Sequence, residues 1–214
     1  MKRLILVVFV TIIAFQSCKE NDNPDPEPQN SVLEYFPLAI GNYWVYERSS
    51  CDSTWTDCNL ISIDTNRITK DTLINELLYY KMEGKNILGN NIPVYLRDSN
   101  NFIVNSIGQI LLTTQVFDSI LYEKYVMDIN QNDTIFYLFN QMIDHPNNVV
   151  VQAGTFNCID NRTTLFKVQE GINEGINAHS YYAKGVGLVY HNSIFAGSLG
   201  GLKRELLYSE YLVR

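Results

Sequence analysis

The chain has 214 residues and a formal net charge of -7, and its lysines and arginines form no basic cluster. That balance excludes a nucleic-acid binder of the usual kind, which works by neutralising phosphates. About 200 residues suffice for one domain with a sizeable core, and 14 tyrosines and 10 phenylalanines among many Ile, Val and Thr are β-forming material.

The first element is not part of a fold. Lys2 and Arg3 precede an apolar run over residues 4–15, broken only by Thr11. The run is too short for an ordinary membrane span of about 20 residues and has the length of a signal-peptide core. Phe15-Gln16-Ser17-Cys18 follows. A small residue before a cysteine, just after the apolar run, resembles a bacterial lipobox, although Phe15 and Gln16 depart from its commonest pattern. The resemblance implies a lipoprotein signal peptide over 1–17 and a diacylglyceryl group, with acyl chains such as palmitate, on Cys18. Loss of Lys2 and Arg3 moves the formal charge from -7 to -9.

Residues 18–30 are polar, acidic and proline-rich, so they cannot bury a core and suit a flexible tether. Several acyl chains on one cysteine give stable anchoring, which makes the membrane the first expected partner. The acidic residues after Cys18-Lys19 also resemble the surface-export signal of Bacteroidetes lipoproteins. This implies an outer-membrane location, at the cell surface in preference to the periplasmic face.

Residues 31–214 read as one β-rich domain. Ser31 with Glu34 three residues on has capping-box spacing, and a short helix over 31–38 would end at Pro37. Strands are expected over 42–48, 60–64, 77–82, 94–97, 102–105, 110–117, 120–127, 134–139, 155–159 and 163–168. Asp98-Ser99-Asn100-Asn101, Asn130-Gln131-Asn132-Asp133 and Pro146-Asn147-Asn148 supply turn chemistry between them. Near the end, 181–190 reads as strand, glycine bend at Gly185 and Gly187, strand, and a last strand is expected over 202–213. No stretch holds a helical period for four turns. The expected fold class is mainly β: a single antiparallel, strongly curved sheet or half-barrel with at most one or two short helices.

Three segments carry a family resemblance: 36–46, opening with Phe36-Pro37-Leu38-Ala39-Ile40-Gly41-Asn42-Tyr43-Trp44; 153–158, Ala153-Gly154-Thr155-Phe156-Asn157-Cys158; and 181–189. In this order they resemble bacterial exported proteins and lipoproteins of unknown function, including those called TapB-like. The resemblance implies a curved sheet similar to the lipoprotein carriers of the LolA type, whose concave face can hold an acyl chain. It supplies no catalytic residues.

After lipidation three cysteines remain. Cys51 and Cys58 flank a polar stretch suited to a hairpin tip, and an exported domain is oxidised, so a disulfide is expected there. Cys158 between apolar neighbours reads as a buried thiol. His145, His179 and His191 lie far apart, and no metal or other cofactor is expected. Cys158 with His179 has the chemistry of a nucleophile and base only if the fold joins them. The tandem 170–173 and 174–177, Glu-Gly-Ile-Asn twice, reads as a duplicated hairpin loop. The first functional expectation is non-enzymatic: a lipid or other apolar ligand in the concave sheet, against Trp44, Tyr46, Tyr80, Phe136 and Phe139. The alternative is an envelope accessory protein with a filled core and a protein partner; the third is a hydrolase with an unrecognised site.

Overall fold

The structure is a computed structural model. It describes residues 31–127, 130, 133–168, 175–195 and 200–211, with the backbone alone described at 144–147. The signal peptide, Cys18, the tether and most of the duplicated 170–177 segment lie outside the described residues, as does the end of the last expected strand.

The described chain begins with one short helix, α1 (Val32–Tyr35). Ser31 caps it, its hydroxyl accepting from the Leu33 N–H at 3.3 Å. The Glu34 carboxylate does not complete a capping box; it meets Lys184 at 3.1 Å. Twelve strands follow in one antiparallel sheet: β1 (Tyr43–Cys51), β2 (Cys58–Ile74), β3 (Leu77–Glu83), β4 (Val94–Asp98), β5 (Phe102–Asn105), β6 (Ile110–Thr113), β7 (Ile120–Met127), β8 (Thr134–Val151), β9 (Gly154–Lys167), β10 (Ile176–Ala183), β11 (Gly187–Ile194) and β12 (Gly201–Glu210).

The order across the sheet is β6-β5-β4-β3-β2-β1-β12-β11-β10-β9-β8-β7. Each half is a simple meander, and the halves join where β1 pairs with β12. The two edges, β6 and β7, are consecutive in the chain, so the curved sheet is a barrel left open at one seam. A polar bond crosses that seam: Asn161 Nδ2 of β9 donates to the Leu111 carbonyl of β6 at 2.5 Å.

Several expected boundaries move. β2 runs ten residues beyond the expected 60–64, through a polar stretch, to a two-residue turn at Asn75 and Glu76, both with positive φ. Such a turn matches the twist of the flanking strands. β8 passes through Pro146, expected in a turn, by a register break between Ile143 and Asn147. An irregularity of this kind is where a strand tolerates a residue without an N–H. The expected 155–159 and 163–168 strands are one strand, β9.

The core has two parts. Trp44, Tyr46, Ile68, Val151, Cys158, Ala183, Val189 and Leu206 form the first. Val32, Phe36, Leu96, Ile103, Leu112, Met142 and Tyr182 form the second, which α1 closes with Val32 and Phe36. The Gly185 N–H donates to the Glu34 carbonyl and pins the β10–β11 turn to that helix. Gly185 (φ 74°) and Gly187 (φ 102°) make the turn, and a Cβ at Gly187 would stand 3.0 Å from the Trp44 indole nitrogen, which donates to the Val186 carbonyl at 2.6 Å.

Candidate ligand-binding site

Strand pairing assembles a polar belt across the sheet. Ser62 of β2 pairs with Arg48 of β1, Arg48 with Arg204 of β12, and Arg204 with His191 of β11. His191 pairs with Ser180 of β10, and Ser180 with Asn161 of β9. Direct cross-strand partners share a face, so these six side chains form one row although they come from six strands.

The belt is mostly shielded from solvent. Arg48, Asp64, Asn161 and Arg204 are all buried. The Arg48 Nε donates to Asp64 Oδ2 at 3.0 Å, and Lys85 Nζ to Asp64 Oδ1 at 2.9 Å. Burial raises the Asp64 pKa, but bonds from Lys85, Arg48 and Ser62 outweigh it and hold the carboxyl below its usual range. The Arg204 guanidinium lies over the Tyr46 ring, 5.0 Å from its centroid, and donates to the Lys85 carbonyl.

Between the belt and the second core cluster lies a cavity of about 360 Å³. Arg204, His191, Ser180, Asn161 and Asn66 line its polar side; Met82, Val94, Leu111, Tyr182 and Leu188 line its apolar side. The β3–β4 loop covers it with Lys85, Asn86, Ile87 and Ile92, and Gln109 and Ile110 approach from the β5–β6 turn. In that loop a Cβ at Gly89 would stand 3.0 Å from the Arg48 guanidinium, so glycine lets the cover approach the belt. The size and the few convergent polar groups suit a small-molecule site.

Ser180 Oγ and His191 Nδ1 stand 2.8 Å apart, the spacing of a nucleophile and its base. Desolvation, reinforced by Arg204, pushes the His191 pKa down to about 4. The imidazole is therefore neutral near pH 7 and a weak base, and among the described residues no carboxylate bonds its ring. The pair is better suited to hydrogen-bonding a ligand than to abstracting a proton.

The aromatic residues singled out from the sequence go elsewhere. None of the five lines this cavity. Trp44 and Tyr46 are buried in the first core cluster, with the Tyr46 hydroxyl donating to the Leu188 carbonyl at 3.0 Å. Tyr80 is half-buried and lines a separate surface groove of about 700 Å³ beside Leu33, Pro37 and Ile40. Phe139 belongs to an outer aromatic ribbon, 5.8 Å from the Tyr137 ring and 6.1 Å from Phe166. Phe136 stands between Val126 and Lys167 on neighbouring strands.

Cys51 and Cys58 face each other at the tip of the β1–β2 hairpin and are joined in a disulfide. Cys158 is a free, buried thiol; burial, then the Asp160 charge, pushes its pKa up to about 12, which leaves it inert. His179 bonds Asp160 at 2.8 Å instead, and the His145 side chain lies outside what is described. The belt residues were not singled out from the sequence. Their signal is the alternation of Arg48 with Tyr46 on β1 and of Arg204 with Leu206 on β12, charged residues on an otherwise inward-facing side.

No family model matches the chain, and no curated protein matches it. Two solved structures are similar in outline. One is a candidate lipoprotein from Parabacteroides distasonis, 12% identical, covering 82% of this chain and 98% of its own, with a TM-score of 0.46. The other is a candidate exported protein with a YmcC-like fold from Bacteroides fragilis, 11% identical, covering 83% of this chain and 99% of its own, with a TM-score of 0.43. At that distance neither carries function across.

Proposed function

We propose that this chain is a lipoprotein of the bacterial envelope, tethered to the outer membrane through Cys18, whose β domain holds a small, partly apolar ligand inside the curved sheet. The cavity carries this reading: it opens beside the polar row on the inner side of the sheet, has ligand size, and joins an apolar wall to a row of hydrogen-bonding groups. The lipobox-like segment and the acidic tether support the anchor and the cell-surface side. The mixed lining refines the expectation of an apolar ligand, because a pure hydrocarbon would leave the belt unsatisfied. Binding in this account is non-catalytic.

A second reading has its own observation. On the outer face, Tyr125, Tyr137, Phe139 and Phe166 form a ribbon in which Tyr125 and Tyr137 lie 4.8 Å apart and Tyr125 is 58% exposed. Exposed clustered aromatics suit a protein partner, the role of an envelope accessory protein.

Filling the cavity separates the two. Val94 lines its apolar wall, and Val94→Trp would occupy that space. The wild-type protein is expected to bind the neutral fluorescent probe phenylnaphthylamine at one saturable site, and the variant to bind it at least about tenfold more weakly with its circular dichroism unchanged. Equal binding by a folded variant would put the probe elsewhere and contradict the interior site.

A further inference from the structure

The belt holds more positive charge than the protein neutralises. Arg48 and Arg204 are direct cross-strand partners, an arrangement that like charges disfavour. Lys85 adds a third cation, and Asp64 is the carboxylate that answers Arg48 and Lys85. Glu83, the acidic residue on the cavity lining, is taken by Lys81. Arg204 feels the Asp64 charge only through space and makes no ion pair with it.

Its surroundings make this costly. Arg204 is only 4% exposed. It has one carbonyl and the Tyr46 ring as partners. Among the described residues no carboxylate lies within ion-pair distance of it, and its Nε is shielded from solvent without a hydrogen-bond partner. Asn66 Oδ1, on the same lining, is also shielded and unpartnered. Buried guanidinium groups are ordinarily paired with an anion, because desolvation otherwise disfavours them strongly. The cavity that Arg204 lines gives such an anion room beside it.

We propose that the cavity takes an amphipathic anion, with a carboxylate or phosphate head on Arg204 and an aliphatic part against Met82, Val94, Leu111 and Leu188. Guanidinium suits both heads through paired hydrogen bonds. The inference rests on the binding reading above and specifies the ligand of that same cavity.

Isothermal titration of the processed chain, from residue 18 with Cys18→Ala so that no acyl anchor is added, tests it with three ligands of one chain length: sodium decanoate, decyl phosphate and decanol. At least one of the two anions should bind about tenfold or more tightly than decanol, and which anion does so identifies the head group. Arg204→Met should erase that preference, bringing the affinity of the favoured anion down to that of decanol in the same variant. Equal binding of all three by the wild type would overturn the anion inference and leave the binding reading standing. No binding of any of the three at millimolar concentration would sink both. A preference that survives in Arg204→Met would take the assignment away from Arg204. Should that variant not fold, Arg204→Gln replaces it, and the wild-type comparison decides the inference without either.

Discussion

His191 sits between Ser180 and Arg204 in the belt, and its pKa of about 4 has a consequence for stability. An unfolded histidine titrates near 6.5. Between those values the unfolded chain binds a proton that the folded chain does not, so stability falls as the pH is lowered from 7 toward 4. The loss approaches about 3 kcal/mol at the low end. Arg204, as a guanidinium, stays charged throughout. Asp64, held below the usual carboxylate range, adds to the loss only at the low end of that window, where the unfolded carboxyl begins to take up a proton that the folded one does not. Urea unfolding at pH 7 and pH 4.5 should show a clear drop for the wild type and a flatter dependence for His191→Gln; parallel slopes would mean that His191 titrates normally. None of these residues announces its role in the sequence. His191 and Arg204 become neighbours only once β11 and β12 pair in one register, and single-strand alternation does not fix which charged residue meets which.

At the scale of elements, the β1–β2 hairpin is tied at its tip by Cys51–Cys58, seven residues apart. Asp52 organises the enclosed loop, accepting from the Thr56 and Asp57 N–H groups. On the far side, Gly201 pairs with Cys51 where a Cβ would run into the Ser193 carbonyl. Closing so short a loop stabilises by about 2 kcal/mol, so replacing both cysteines by serine should lower the unfolding free energy by about that amount in a denaturant titration. An unchanged midpoint would show the hairpin to be set by its register alone. This disulfide was legible because two cysteines flanked a polar stretch. The strands of 77–83, 94–98, 102–105 and 120–127 were equally legible from alternation between turn residues. The second half of β2 was not, since Thr65 to Ile74 offers few apolar residues to alternate. Nor was β8 beyond Asn140, where Pro146 imitates a strand end until the register break absorbs it.

The whole molecule is two meanders joined by the pairing of the first strand with the last, leaving its seam between two strands consecutive in the chain. That closure brings β1, β12, β11, β10 and β9 side by side and so creates both the belt and the cavity. A single curved antiparallel sheet was readable from strand count and composition. The cavity was not, because it arises where a polar row laid across both halves faces apolar residues carried by β3, β4, β6, β10 and β11. Of the aromatic residues named from the sequence, Trp44 and Tyr46 lie in the core, Tyr80 lines the groove and Phe139 stands in the outer ribbon. The central claim is that a small ligand occupies the interior of the domain. Native mass spectrometry of the protein purified gently from bacterial envelopes reads it most directly. A retained mass, lost from Val94→Trp, is the result this account predicts. A chain that carries no ligand, and gains none when decanoate, decyl phosphate or decanol is added, would contradict it and turn attention to the outer aromatic ribbon.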